Sequence, residues 1–178
     1  MKDFSLKFLD IMIGLVLGLG FQWWPQLDKP WQYLAFVFVY LDIIDHWIDY
    51  GPTLRKFPPK REVDILLNVA IMFTFFFYIY TTQLDIIYFL ASFVAFRLLD
   101  FLWLLRSKYE YKPVGSDKTY VHMWLVYDAL EMVMTGGLIA ATFLFPAVSS
   151  LSLIFIYVVV RILIRITASW EYKKIHFA

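Results

Sequence analysis

The sequence predicts an all-α integral membrane protein with six transmembrane helices, and three observations support this fold class. The chain of 178 residues is 61% hydrophobic, only 17% of its residues are charged, and its mean hydropathy is +0.66; about a quarter of the residues of a soluble domain are charged. Several apolar runs approach the roughly 20 residues that a helix needs to cross a bilayer. The alternation expected of outer-membrane strands is absent, so the spanning segments are predicted to be helices.

Proline, glycine and polar clusters divide the chain into six apolar segments. Pro25 and Pro30 bracket the first loop, Gly51-Pro52 is predicted to end the second helix, and Pro146 is predicted to end the fifth. The predicted helices cover about residues 5–24, 31–50, 63–82, 84–106, 119–145 and 148–170. The first apolar run lacks a small-residue cleavage site, which favours a retained helix over a signal peptide. Residues 1–178 are therefore expected to form a single six-helix domain.

Lysine and arginine residues are distributed unevenly among the predicted loops. Twelve of the sixteen lie in the N-terminus, in the loops after the second and fourth helices, and in the C-terminal tail, whereas the three opposite loops together hold only Lys29. Short cytoplasmic loops of membrane proteins carry an excess of basic residues. Both termini are therefore predicted to be cytoplasmic, and this alternation is consistent across all six helices.

Several kinds of chemistry are excluded by the absence of their residues or motifs. The chain has no cysteine, which excludes disulfides, thiolate metal sites and cysteine nucleophiles. It contains no G-x-S-x-G, H-E-x-x-H or Walker sequence and no TVGYG-type potassium filter. No catalytic residue, cofactor, metal ion or nucleic-acid partner is predicted, so the chain is not expected to be an enzyme.

The first predicted helix has two distinctive faces. Gly14 and Gly18 are four residues apart and share one face, a pattern that allows close packing of membrane helices. Leu15, Leu19 and Gln22 follow at i, i+4 and i+7 on a neighbouring face, which is apolar and ends in one amide. This second face either lines a narrow pore or packs against lipid or another helix.

The second predicted helix carries acidic residues on one face. Asp42, Asp45 and Asp49 lie at i, i+3 and i+7, and His46 follows Asp42 by four residues, where it could pair with it. One interpretation is a cation or proton site, because ionisable groups inside a membrane are costly and are often functional. The other is a hydrated cytoplasmic helix end that the basic linker neutralises. Asp42, about 12 Å below the helix end, fits the second interpretation less well.

The fourth and fifth predicted helices each carry a pair of ionisable residues three apart. Arg97 and Asp100 indicate an ion pair within or between helices. Asp128 and Glu131 could ligate a metal ion together with a histidine such as His122, but the E-x-x-H pattern of helix-bundle metal sites is missing. We therefore expect interhelical polar contacts here rather than a metal site.

Two arginines of the sixth predicted helix, Arg161 and Arg165, are one turn apart and are predicted to neutralise some of these acids. The residues predicted to make interhelical polar contacts are Asp42, Asp45, His46, Asn68, Arg97, Asp100, Asp128 and Glu131.

Three short motifs in the first half of the chain resemble the transmembrane protein 175 family, which comprises the endosomal and lysosomal potassium channel and its prokaryotic six-helix relatives. Phe8-Leu9-Asp10 is similar to the end of the family hallmark R-x-x-x-F-S-D, with leucine in place of serine and Phe4 in place of arginine. His46-Trp47 and Leu67-Asn68 resemble the motifs of the family's second and third helices.

The resemblance implies a homotetrameric, potassium-permeable cation channel in the plasma membrane of a prokaryote. In that family the first helix lines the pore, which would place Leu15, Leu19 and Gln22 at the constriction, on an apolar face that ends in the Gln22 amide. Phe8 and Asp10 would form the hallmark-like motif. Asp10 would link helices at the cytoplasmic side, with His46 or Asn68 as its expected partner.

Two other functions remain open from the residues alone. The intramembrane carboxylates also fit a proton- or cation-coupled transporter, or a membrane enzyme that uses them. The acids would instead form structural pairs in a non-catalytic membrane scaffold protein. Flux and metal content of the purified protein would separate these functions from the channel.

Overall fold

The computed structural model describes residues 2–176, and side chains within residues 7–171. The described chain is helical throughout, with no strand in it. The long helices are α1 (Lys2–Gly20), α2 (Pro30–Lys56), α3 (Glu62–Tyr80), α4 (Ile86–Tyr111), α5 (Ser116–Leu144) and α6 (Ser150–His176). Short 3₁₀ helices at Phe21–Gln26 and Thr81–Gln83 follow α1 and α3. The predicted all-α fold class with six long helices is confirmed.

Within the described residues, five helices are long and apolar enough to cross a membrane, which indicates an integral membrane protein. They are α1, α3, α4, α5 and α6. The remaining helix, α2, has 27 residues and is therefore about 40 Å long, but it carries the acidic face of Asp42, Asp45 and Asp49. Its length suits a bilayer, and its charges must be neutralised by other helices if it spans one.

The bundle is built around an aromatic core, with α1 at its edge. The chain packs α3 on α4, α4 on α5 and α5 on α6, and α2 closes the bundle by contacting α6. Phe75, Phe89, Phe93 and Phe96 are buried between these helices. α1 packs mainly on α2 and α3, so most of one side of it faces away from the bundle.

One end of the bundle, which we call the basic end, is where α2 and α4 finish and α3 and α5 begin. An ion pair joins Lys56, at the end of α2, to Asp117, near the start of α5. Arg106 of α4 places its Nε 2.7 Å from Oδ1 of Asp64 in α3. The Tyr111 hydroxyl donates to the Pro58 carbonyl in the linker. These contacts fix the antiparallel arrangement of neighbouring helices.

Several predicted helix ends are wrong because tertiary contacts extend the helices. α2 was predicted to end at Gly51-Pro52, but it continues to Lys56 with Pro52 inside it. The missing proline N–H is tolerated because the next turn is anchored: Leu54 is buried, and the Thr53 hydroxyl donates to the Asp49 carbonyl at 2.7 Å. α4 likewise runs beyond Arg106 to its end at Tyr111.

The glycines of α1 do not all act as predicted. A Cβ at Gly20 would lie 2.8 Å from Ile79 Cδ1 and from the Tyr40 hydroxyl, so a larger residue would force these side chains to shift where α1 ends against α2 and α3. At Gly14 and Gly18 a Cβ would meet nothing within 4 Å. Among the described residues, no helix therefore packs closely against these two glycines, and their face is open.

Candidate functional site: a buried ionic network

The main candidate site lies half-way along the bundle, where α2, α4, α5 and α6 meet. Its members, which we call the inner network, are Asp42, Arg97, Asp100, Asp128, Glu131 and Arg161. All six are buried. Arg97 lies more than ten residues from either end of α4, which corresponds to about 15 Å or more along the helix axis. The network is therefore far from water at both ends of the bundle.

Glu131 of α5 bridges the two arginines of the inner network. Its Oε1 lies 2.6 Å from Nη1 of Arg161, and its Oε2 lies 2.6 Å from Nε of Arg97. The other terminal nitrogen of Arg161, Nη2, lies 2.8 Å from Oδ1 of Asp42. A continuous chain of short charge contacts thus runs from α2 through α6 and α5 to α4.

The contacts of Asp100 and Asp128 are longer and share a donor. Nη1 of Arg97 lies 3.4 Å from Oδ2 of Asp100 and also 3.4 Å from Oδ1 of Asp128. Oδ2 of Asp128 is buried without a hydrogen-bond partner among the described residues. These two carboxylates are consequently the least well compensated members of the network.

His46 of α2 borders the network beside Asp100. Its Nδ1 lies 3.9 Å from Oδ2 of Asp100, and its ring packs against Tyr50, Phe75 and Phe96 with centroid distances of 5.0 to 5.2 Å. Its Nε2 is buried and has no hydrogen-bond partner within the described part of the chain. One ring nitrogen of His46 is therefore a buried polar atom that the described side chains leave unsatisfied.

A small polar cavity of about 30 Å³ lies next to His46 and has room for about two water molecules. Arg97 and Asp100 line it on the inner side, and Thr53 and Tyr120 line it toward the basic end. The Thr53 and Tyr120 hydroxyls are 2.5 Å apart. The cavity therefore connects the inner network with the half of the bundle that faces the basic end.

A second charge cluster, the outer triad, lies one turn closer to the basic end. Arg165 of α6 places Nε 2.6 Å from Oδ2 of Asp45 and Nη1 2.5 Å from Oδ2 of Asp49. The Arg165 guanidinium also stacks over the Trp124 ring, 5.5 Å from its centroid. These side chains are only partly exposed, so the triad is intermediate between the buried network and the surface.

Negative charge exceeds positive charge in the inner network. Four carboxylates face two guanidiniums there, and the outer triad adds two carboxylates and one guanidinium. An uncompensated charge is very costly in a medium of low dielectric constant. Guanidinium is always protonated, and among the described side chains no further arginine or lysine contacts the inner network. Protons or small cations bound to the carboxylates or to His46 would restore the balance.

The structure brings the predicted polar residues together but changes several partners. His46 was expected to pair with Asp42 and instead lies beside Asp100. The acids of α2 were expected to be neutralised by the basic linker or by the arginines of the sixth helix, and Arg161 and Arg165 hold them. The linker is not involved because it lies at the end of the bundle.

The expected partners of Asp10 are wrong. Asp10 is exposed near the middle of α1, where its Oδ1 accepts a hydrogen bond of 3.0 Å from Trp47 Nε1. Asn68 instead accepts a bond of 2.7 Å from the Tyr50 hydroxyl. Both contacts link α2 to a neighbouring helix, so α2 is held by polar contacts on several sides.

Sequence analysis missed the aromatic and hydroxyl residues around the cavity. Tyr50 lies one turn after His46, and Trp124 lies one turn before Asp128. Both line the cavity, and Trp124 Nε1 is buried with no hydrogen-bond partner among the described residues. The spacing of four residues to a buried ionisable group was the signal that could have identified them.

The predicted pore residues lie far from the inner network. Leu15 and Leu19 are each 50% exposed on the outer side of α1, and Gln22 is exposed in the following 3₁₀ turn. Phe8 is partly buried against the core beside them. Within a single chain this face is therefore exposed.

Among the described side chains, no group of three or more histidine, aspartate or glutamate residues is arranged to hold a metal ion. The carboxylate oxygens of the network point at guanidinium nitrogens instead of converging on a common centre. Comparison with protein-family models, with characterised proteins and with solved structures finds no match to this chain. The geometry of the inner network is therefore the feature that points to a function.

Proposed function

We propose that the chain is a membrane transporter of protons or monovalent cations, with the inner network and His46 as its binding station. The observation that carries the proposal is the excess of buried carboxylates over guanidiniums at mid-bundle. Ionisable groups at that depth are expensive and typically mark ion or proton pathways. A network that must bind two positive charges to be neutral is suited to taking up and releasing them.

Within the network, Asp100 is the carboxylate best placed to exchange an ion. It shares the Arg97 Nη1 donor with Asp128, lies 3.9 Å from His46 and lines the polar cavity. His46 lines the same cavity, and its Nε2 has no partner among the described residues, so a proton taken up at Nε2 would allow the Nδ1 proton to leave toward Asp100. The absence of a common centre for the carboxylate oxygens favours a proton over a dehydrated metal ion.

The proposal includes the orientation that the loop charges predict. The basic end, where Lys56, Arg61 and Arg106 lie, would face the cytoplasm together with both termini. Ions would then reach the inner network from the cytoplasm past the outer triad. The route to the other side would have to pass the aromatic core around Phe89 and Phe93, so it requires a change in the packing of the helices.

Proton flux into liposomes tests the proposal directly. Purified protein is reconstituted in liposomes that contain a pH-sensitive dye, and the decay of an imposed pH gradient is followed at zero membrane potential. We expect the wild-type protein to accelerate the decay and Asp100→Asn to slow it at least tenfold, because the amide keeps the shape of the side chain but cannot bind a proton. Asp117→Asn, which removes a carboxylate at the basic end, is the matched control and should behave as wild type.

Two results of this flux measurement would contradict the proposal. A wild-type protein that leaves both pH and monovalent cation gradients intact is not a transporter of these ions. Equal flux through wild type and Asp100→Asn would exclude the inner network from the path. Retained helical content and a single gel-filtration peak would show that a loss of flux in Asp100→Asn does not come from misfolding.

A second candidate function, a potassium-permeable channel formed by several copies around α1, is favoured by the open face of that helix. A Cβ at Gly14 or Gly18 would meet nothing within 4 Å, and Leu15 and Leu19 are half exposed beside them. Small residues allow close approach of another helix, and apolar rings gate pores by narrowing and dewetting. A tetramer would place four such faces around one axis.

Potassium flux separates this channel from the transporter. In liposomes with a potassium gradient, Leu15→Ala and Leu19→Ala should raise the passive leak, whereas Leu163→Ala, a 57% exposed leucine of α6, should not. Equal flux in all three variants would contradict a pore at α1. The absence of potassium, proton and other cation flux would contradict both candidates and favour a scaffold in which the charges are structural.

A further inference from the structure

A groove at the basic end of α4 is separate from the ionic network and has a different chemistry. Its volume is about 670 Å³, and it lies between the last turns of α4 and the residue that precedes α3. The lining residues are Arg61, Leu105, Arg106, Lys108, Tyr109, Glu110 and Lys112. Four of the seven are basic and one is acidic, so the groove is strongly positive.

The basic residues of the groove are organised rather than scattered. Glu110 lies 3.3 Å from Nε of Arg61 and 3.0 Å from Nη2 of Arg106, and it thereby holds two guanidiniums side by side. Lys108 and Lys112 are exposed and make no ion pair within the described side chains. Two ammonium groups next to two oriented guanidiniums form a site for an anion with several oxygen atoms.

The backbone contributes to this arrangement at the end of α4. Lys112 adopts a left-handed conformation with φ of 45°, and its N–H bonds the Lys108 carbonyl. It is the only non-glycine residue with positive φ in the described chain. This conformation is costly for a residue with a side chain, and it ends the helix with Lys112 lining the groove.

An apolar stripe on α4 leads from the bilayer region into the groove. Leu98, Leu102, Leu105 and Tyr109 are spaced at i, i+4, i+7 and i+11, so they share one helix face. All four are exposed, with exposed fractions of 47%, 38%, 45% and 82%. Tyrosine is enriched at membrane–water interfaces, and Tyr109 stands where this stripe reaches the groove.

We propose that the groove binds the headgroup of an anionic membrane phospholipid, with an acyl chain along the apolar stripe of α4. The phosphate would contact Lys108, Lys112 and the exposed guanidinium of Arg61, while Leu98, Leu102 and Leu105 contact the chain. Basic pockets next to transmembrane helices recognise anionic headgroups in this way. The continuity of stripe and groove favours a lipid over a free phosphate ion, which would use only the basic part.

Lipid binding by the full chain tests the proposal. Native mass spectrometry of the protein in detergent with phosphatidylglycerol, phosphatidylcholine or glycerol phosphate gives an apparent Kd for each probe. We expect tight binding of phosphatidylglycerol only. Because each basic residue near an anionic headgroup contributes about fivefold in affinity, Lys108→Gln with Lys112→Gln should weaken that binding on the order of 20-fold.

The matched control removes two charges from the same end of the bundle but outside the groove. Lys7→Gln with Lys118→Gln should retain wild-type binding of phosphatidylglycerol, since both lysines are exposed and neither lines the groove. Equal losses in the two double variants would assign binding to overall surface charge and overturn the proposal. Equal affinity for phosphatidylcholine, or tight binding of glycerol phosphate alone, would also overturn it. Unchanged thermal unfolding of the variants without lipid excludes misfolding.

Discussion

Arginine–carboxylate contacts occur in two regions of this bundle, at its middle and at its basic end, and the chemistry of the pairs is the same in both. In the middle, Arg97 is 2% exposed and its contact with Glu131 is 2.6 Å long. At the basic end, the Arg106 side chain is 33% exposed and its contact with Asp64 is 2.7 Å long. The distances are nearly equal, so the difference between the regions lies in their access to water.

The contact distance alone therefore does not determine how much an ion pair contributes to the free energy of unfolding. A partly exposed pair is screened by water and salt and contributes about 1 kcal/mol or less. A buried pair adds little net stability relative to apolar residues, but removal of one partner leaves the other charged and desolvated, which costs about 3–5 kcal/mol. Variants that break a pair in the middle should therefore lose more stability than variants at the basic end, although the contact distances are nearly equal.

The largest expected effect is that of Arg97→Met in the inner network. The methionine fills much of the volume, but it leaves Glu131, Asp100 and Asp128 without their shared guanidinium, and we expect a loss of about 3–5 kcal/mol in the free energy of unfolding. Unfolding in mixed micelles monitored by circular dichroism measures it. The double variant Arg97→Met with Glu131→Gln should recover part of the lost free energy of unfolding, because it removes one of the unpaired charges. A loss below about 1 kcal/mol for Arg97→Met would mean that the buried and the partly exposed pairs do not differ in their effect on stability.

At the basic end, Arg106→Gln should have a smaller effect that depends on salt. The variant loses the contacts of Arg106 with Asp64 and Glu110, and we expect a loss of about 1 kcal/mol at low ionic strength. Because partly exposed charges are screened, the difference from wild type should shrink in 1 M NaCl. The effect of Arg97→Met should change little under the same conditions, and equal salt dependence of the two variants would contradict the comparison.

A still smaller effect is expected for the contact between α1 and α2 at Asp10. The Trp47 N–H donates to Asp10 in an exposed position, so Asp10→Ala and Trp47→Phe should be coupled by about 0.5 kcal/mol in a double-mutant cycle. Asp10→Ala with Asn68→Ala is the control and should be additive, because Asn68 contacts Tyr50 instead. Coupling to Asn68 and not to Trp47 would contradict the structure at this site.

The smallest effect on stability is expected for Asp128→Asn, although Asp128 is fully buried. This residue shares one Arg97 nitrogen with Asp100 and leaves one oxygen unpaired, so its replacement by the neutral amide removes excess negative charge. We expect no measurable loss in the free energy of unfolding, whereas Glu131→Gln should be destabilising because Glu131 makes two contacts of 2.6 Å. Equal losses for the two variants would indicate that the network carries no excess charge.

Sequence periodicity predicted the number of helices and the faces that carry polar residues. The spacing of Asp42, Asp45 and Asp49 placed them on one face, and the single turn between Arg161 and Arg165 matched that face with cations. These features are local, because the 3.6-residue repeat of a helix depends only on its own sequence. Composition alone likewise indicated a membrane protein, since so many apolar residues exceed what a soluble core can bury.

Only the tertiary structure decided which faces meet. A helical face can contact any neighbouring helix at any rotation, so the sequence left open that His46 lies beside Asp100, that Asp10 bonds Trp47, and that Arg97 is shared by two aspartates. The extension of α2 through Pro52 has the same origin, because the buried side chain of Leu54 holds a turn that local propensity would end. The inner network therefore forms only where four helices pack together, and it cannot be predicted from the sequence of any one of them.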